Sequence, residues 1–186
     1  RVLVPPVAGK APGEPAVCKT FGGREEHPTA FKHEQLSGWL ADQAPGETLV
    51  SYTATGFGSV NSAGVGSSVT PGASGGNARR EAFAESLGAE QKYSSSYSTT
   101  FYALTDRSLI LGTRSGVRNR PKDVLHSTPV NGITVYWFDD DEGGGNSFRH
   151  FVADFGDGTV RSDRAGITML GRPTKSNAKQ FVDALG

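Results

Sequence analysis

The chain has 186 residues, enough for one domain of ordinary size with extensions or for two very small ones. Lysine and arginine (19) balance aspartate and glutamate (19), so no global field draws in nucleic acid or an anionic membrane. A 35% apolar fraction with 25 glycines indicates that part of the chain stays outside any core, and a single cysteine, Cys18, excludes an internal disulfide framework.

No run approaches the roughly 20 apolar residues of a membrane span, and the opening Arg1-Val-Leu-Val-Pro-Pro-Val7 is too short in apolar residues for a signal peptide. A soluble, cytoplasmic protein is the default expectation. Residues 1–28 carry Pro5, Pro6, Pro12, Pro15 and Pro28 among small and charged residues, which predicts an extended, flexible arm. From Thr29 to Asp42 the spacing of Leu36 and Leu40, with Trp39 beside them, predicts a helix that ends at Pro45-Gly46. Val50 to Thr55 alternates apolar and hydroxyl side chains, the pattern of a half-buried strand.

Residues 56–77 are then dominated by glycine, serine and alanine and read as a flexible loop. A short helix is predicted at Ala78 to Leu87, with Asn77 as cap and Phe83 and Leu87 on one face. Residues 57–92 together form an expected insertion outside the main sheet structure. Thr99 to Leu104 and Leu109 to Thr113 are predicted strands joined by the turn Thr105-Asp-Arg-Ser108. Gly116 to Lys122, basic and interrupted by Pro121, reads as an edge strand or loop. Asn131-Gly132 is a turn signal; after it Ile133 to Phe138 is apolar on both faces. Asp139 to Asn146 reads as an exposed acidic turn. Phe148 to Phe155 and Thr159 to Asp163 flank the hairpin turn Gly156-Asp-Gly158. In the closing helix, Ser176 to Leu185, the side chains of Ala178, Phe181, Val182 and Leu185 make one apolar stripe.

Tyr102-Ala-Leu-Thr-Asp-Arg-Ser-Leu-Ile-Leu111 resembles the strand hairpin of bacterial pleckstrin-homology-like domains. Ala44-Pro-Gly-Glu47 after a Glu-Gln-Leu helix, Val124-Leu125, Ile133-Thr-Val135, Gly156-Asp-Gly-Thr159 and the final Phe-Val-x-Ala-Leu helix agree with it in order. The resemblance covers roughly residues 34–56 and 93–185. It implies a mainly β fold with flanking helices, a bent antiparallel barrel capped by a C-terminal α-helix, spanning residues 29–186. It implies a non-enzymatic binding or scaffolding module and no particular ligand. In eukaryotic pleckstrin-homology domains the phosphoinositide loop lies between the first two strands; here the glycine-serine insertion replaces it, with only Arg79-Arg80 as a local basic pair.

The largest charge asymmetry is local. Between 106 and 122, Arg107, Arg114, Arg118, Arg120 and Lys122 oppose Asp106 alone. Arginine forks bind oxyanions, so Arg114, Arg118, Arg120 and Lys122 are the candidate anion- or partner-binding residues; the other reading of that run is a charged edge that resists strand-to-strand aggregation. Asp139 to Glu142 lacks the alternation and distal glutamate of a calcium loop. His27, His33, His126 and His150 are scattered without metal-ligand spacing, and no nucleophile elbow, phosphate loop or dinucleotide fingerprint is present. Catalytic residues, metal ligands and cofactors are therefore assigned to none. The expected partner is another protein, with an anionic lipid headgroup on the basic hairpin as the first alternative and a small hydrolase built from scattered residues as the second. Neither nucleic acid nor a small-molecule substrate is inferred.

Overall fold

A computed structural model describes residues 31–56, 75–92, 99–115, 120–174 and 176–185. The proline-rich arm, the loop 57–74 and the segment 116–119 lie outside the described residues. In chain order the elements are α1 (His33–Gln43), β1 (Leu49–Gly56), α2 (Gly75–Ser86), β2 (Glu90–Gln91), β3 (Thr99–Thr105), β4 (Ser108–Arg114), β5 (Pro121–Pro129), β6 (Thr134–Gly143), β7 (Asn146–Asp154), β8 (Thr159–Met169), β9 (Arg172–Pro173) and α3 (Ala178–Leu185). The protein is mainly β, and its described helices include a C-terminal one.

The strand order is β5-β4-β3-β1-β8-β7-β6, with short β2 and β9 also paired to β8. Two antiparallel meanders, β1-β3-β4-β5 and β6-β7-β8, meet through one β1–β8 residue pair, Gly56 with Arg164. The expected barrel does not close: β5 and β6 end the path and do not pair with each other. The connection explains why. After Pro129, which has no N–H to donate, a 3-10 turn (Val130–Gly132) anchors to Arg107 O through Val130 N. It then runs under the β7–β8 turn, where Gly156 (φ +72) lies so close to Gly132 O that a Cβ would sit 2.2 Å from it. The chain therefore leaves one sheet at the β3–β4 tip and enters the other at the β7–β8 tip.

Alternation along each strand distributes three apolar clusters. Between the sheets lie Tyr102, Leu104, Leu109, Leu111, Phe151, Ala153, Phe155 and Ala165, closed at one end by Ala178, Phe181 and Val182 of α3. The outer face of the first sheet (Tyr52, Ala54, Phe101, Ala103, Ile110) is covered by Phe31 and by Leu36 and Leu40 of α1. The outer face of the second sheet presents Val152 and Val160 to Ala84 of α2. Gly112 belongs to this packing, because a Cβ there would meet the Phe101 ring at 2.6 Å.

Two expectations change. Residues 75–91 are not outside the sheets: α2 packs on β7 and β8, and β2 pairs in parallel with β8. The helix also starts before Asn77, which lies in its first turn. Second, Asp139 to Asp141 are strand, not turn; β6 continues to Gly143 and the turn falls at Gly144-Gly145, both at positive φ. The glycines, which alone accept that conformation without strain, set the turn.

Phe181 is 1% exposed and packs on Tyr102 and Phe151, with ring centroids at 6.1 and 5.9 Å. Phe181→Ala should cost about 3–5 kcal/mol, read as a lower urea midpoint with an unchanged slope.

Candidate functional site

Among the described residues of the basic run, Arg114 lies apart from the exposed Arg120 and Lys122. Arg114 turns inward: its Nε donates to Thr100 O (3.1 Å) and its Nη2 to Thr55 O (3.3 Å), across β3 and β1. Loss of water lowers its pKa. Arg120 and Lys122 are exposed, and Arg118 lies outside the described residues. Arg114 is thus a structural clamp on backbone carbonyls, where strand alternation alone could not have placed it. Arg114→Ala should cost about 1–3 kcal/mol because it strands buried carbonyls, whereas Arg120→Ala and Lys122→Ala should stay within about 0.5 kcal/mol; urea unfolding of the three variants reads the difference.

A polar cluster lies instead on the outer face of the second sheet, beneath the start of α2. On β6, alternation puts Tyr136, Phe138, Asp140 and Glu142 on this face. On β7 it holds His150, which pairs in register with Phe138 and stacks on it at 4.8 Å and 10°. On β8 it holds Arg164, whose Nη1 donates to Glu142 Oε1 (2.9 Å) and whose guanidinium lies over Phe148. The helix supplies Arg79, over the Phe138 ring at 4.5 Å, and Arg80, whose side chain is 0% exposed. Gly76 lets these groups reach the helix backbone: a Cβ there would lie 2.3 Å from Asp140 Oδ2 and 2.7 Å from His150 Nε2.

Ligand atoms of Asp140, Glu142 and His150 all lie within 4.8 Å of one another. The polar groups around them are under-paired. Arg80 has only long contacts, Nη1 to His150 Nδ1 at 3.4 Å and Nη2 to Glu81 Oε1 at 3.5 Å, and its Nε has no partner among the described residues. Burial lowers its pKa, against the attraction of Asp163 and Glu81. Since a guanidinium only donates, His150 Nδ1 accepts and the ring proton is assigned to Nε2, which is buried and unpartnered among the described residues. Burial, then the charges of Arg80 and Arg164, push the His150 pKa down to about 3. Burial also raises the Glu142 pKa, against the opposing pull of Arg164.

The sequence reading passed over His150, Asp140 and Glu142 because it took the acidic run as a turn. The available signal was the triple glycine at 143–145: placing the hairpin there extends the alternation of β6 and brings both carboxylates onto the face of Phe138.

A neutral buried His150 has a pH consequence. The unfolded chain takes up a proton below the ordinary histidine value of 6.5, and the folded protein does so only near 3. This contribution to stability is therefore complete above pH 6.5 and is lost as pH falls toward 3. Between pH 7 and 5 the wild type should lose about 2 kcal/mol more than His150→Gln, measured by urea unfolding at both pH values.

No protein-family model, no curated protein and no solved structure matches this chain.

Proposed function

We propose that this protein is a non-enzymatic, protein-binding module of the pleckstrin-homology-like type. The observation that carries this reading is the strand plan: a four-stranded and a three-stranded antiparallel meander, joined at β1 and β8, with α3 packed across β1, β8 and β3. Antiparallel strands with a C-terminal helix suit the reading drawn from the Tyr102–Leu111 resemblance, although the barrel it implies does not close, and α1 and α2 lie on the outer faces. The space between the sheets lined by Tyr102, Leu109, Val135, Phe151, Ala153 and Phe181 leaves no room for a water molecule, so a partner meets the surface.

The edge of β6 is the surface that suits a protein partner best. It ends the sheet path, and its first half, Thr134 to Phe138, carries no charge. An extended segment adding there would satisfy the free backbone groups of an edge strand and read alternate side chains. The second half, with Asp139 to Glu142, opposes indiscriminate pairing. The β5 edge is less suited, because two register shifts disrupt its ladder and proline stands at both ends. Anionic lipid binding is also disfavoured, since Arg114 is committed to backbone carbonyls.

A photo-crosslinking residue at Thr134, compared with one at Lys122, tests this in the source cell. The expected result is one protein adduct from 134 that is absent from 122, together with no sedimentation on phosphatidylserine vesicles. Adducts from 122 alone, or vesicle binding abolished by Arg120→Glu with Lys122→Glu, would overturn it in favour of the basic edge.

A further inference from the structure

We propose that Asp140, Glu142 and His150 form a binding site for a divalent transition-metal ion of the zinc class. Three observations carry this. Two carboxylates and one imidazole present ligand atoms within 4.8 Å of one another, from adjacent strands. His150 is 0% exposed, and its Nε2 is a buried polar atom with no hydrogen-bond partner among the described residues, lying beside Asp140 Oδ2 against the same Gly76 position. Natural interiors rarely leave such an atom unmatched, so it calls for an explanation. Gly76, finally, is the residue that lets Asp140 Oδ2 and His150 Nε2 approach the helix backbone together.

The donor set selects the ion. Calcium and magnesium prefer all-oxygen shells, whereas one imidazole with two carboxylates suits zinc and its neighbours. Three protein ligands leave a fourth tetrahedral position for water or for a donor from a partner.

Charges facing the cluster set the terms of binding. Arg164 from β8 pairs with Glu142, Arg80 and Arg79 approach from α2, and Asp139 of β6 is held by Arg149 at 2.6 Å. An ion at Nε2 takes the place of the ring proton, which moves to Nδ1 so that the ring stays neutral; Arg80 then turns its Nη1 away from Nδ1 toward Glu81. Arg164, with a side chain 22% exposed, releases Glu142 and turns to water. The arginines therefore restrain affinity, and removing one should increase it. A purely structural role for the cluster gives no such gain.

Zinc chloride titrated into the full chain carrying Cys18→Ser tests the site by calorimetry. One ion should bind saturably, the His150→Gln and Asp140→Asn variants should lose that binding, and Arg164→Gln, which removes a cation that competes for Glu142, should tighten it roughly ten-fold. Long-range ¹⁵N–¹H spectra of the imidazoles read the ligand directly without any substitution in the cluster: His150 Nε2 should change from a protonated to a metal-bound shift. If His150→Gln fails to fold, this spectrum and Asp140→Asn decide the matter. A His150 ring that keeps its Nε2 proton at saturating zinc would overturn the proposal. So would zinc binding that survives both His150→Gln and Asp140→Asn, which would put the ion on other residues such as His27 and His33.

Discussion

The two sheets are tied together by hydrogen bonds from β3 to a buried ion pair on β8. Their ladders share one residue pair, Gly56 with Arg164, and a single bridge cannot fix the angle between two meanders. Side chains do so. Arg161 of β8 donates from Nε to Asp163 Oδ2 (2.6 Å) and from Nη2 to Asp163 Oδ1 (2.8 Å). The same Nη2 reaches Thr100 Oγ1 of β3 at 3.2 Å, and Thr100 in turn bonds Thr55 of β1. Tyr102 on β3 donates its hydroxyl to Asp163 Oδ2 at 2.7 Å. Arg161 and Asp163 are both 0% exposed, so removal of one partner would leave an isolated charge in the interior, at a cost of about 3–5 kcal/mol. Burial, then Asp163, raises the Tyr102 pKa well above its usual value and keeps the hydroxyl protonated as the donor. The C-terminal segment is pinned beside this junction: Ala54 N and Thr53 Oγ1 donate to Ser176 O, and Asn177 Nδ2 donates to Tyr52 O. The position of α3 therefore follows from where β1 lies.

Arg80 shows by contrast what an unfinished network looks like. Both arginines are wholly buried, yet Arg161 holds a carboxylate through two short hydrogen bonds and Arg80 reaches Glu81 only at 3.5 Å. Burial lowers the Arg80 pKa, and the attraction of Asp163 and Glu81 offsets this only in part. The groups acting on Arg80 are the neutral His150 imidazole at 3.4 Å, the Glu81 carboxylate at 3.5 Å and the charge of Asp163. Departures of this kind occur where a protein has something other than stability to accomplish, and among the described residues Arg80 and His150, each with an unpartnered atom, meet on the outer face of the second sheet.

Much of the fold was legible because apolar spacing alone encodes it. Leu36 with Leu40, the alternation from Val50 to Thr55, and the Phe181–Val182 stripe each have a period that matches only one kind of element, and each element forms. Pairing beyond neighbouring strands was not legible. The gap between β5 and β6 depends on the turn at Val130–Gly132 meeting Gly156, a contact between positions far apart in sequence. The polar interior was hidden for a related reason. Arg114, Arg161 and Arg80 look in sequence like solvated charges, and only the strands packed around them decide that Arg114 clamps carbonyls, Arg161 meets Asp163 and Arg80 meets His150. The candidate site was misread at one step, the assignment of Asp139 to Glu142 to a turn, after which His150 had no visible neighbour.

The first turn of α2 lies directly against this cluster. Its apolar contact with the sheet is small, with Ala84 on Val152 and Val160 and, at the margin, Phe83 against Tyr136 at 5.0 Å. Burial of so little surface supplies only a few kcal/mol, against the entropy of ordering twelve residues that begin with two glycines. Leu87 and Ala89 add to that contact, and at the polar end Asp140 and His150 lie against Gly76 while the Phe138 ring receives Arg79. That end is also the one with unmatched donors and a low-pKa histidine, so the attachment of α2 is sensitive to the protonation and ligation of those few groups. The opposite end, where Leu87 leads to β2 and a parallel pair with β8, is held by backbone hydrogen bonds from Glu90 N to Gly158 O and from Lys92 N to Val160 O. One end of the helix is thus fixed by the sheet and the other by electrostatics. A change in charge at the Asp140–Glu142–His150 cluster would act first on the Gly75–Gly76 turn of α2 and leave β2 in place.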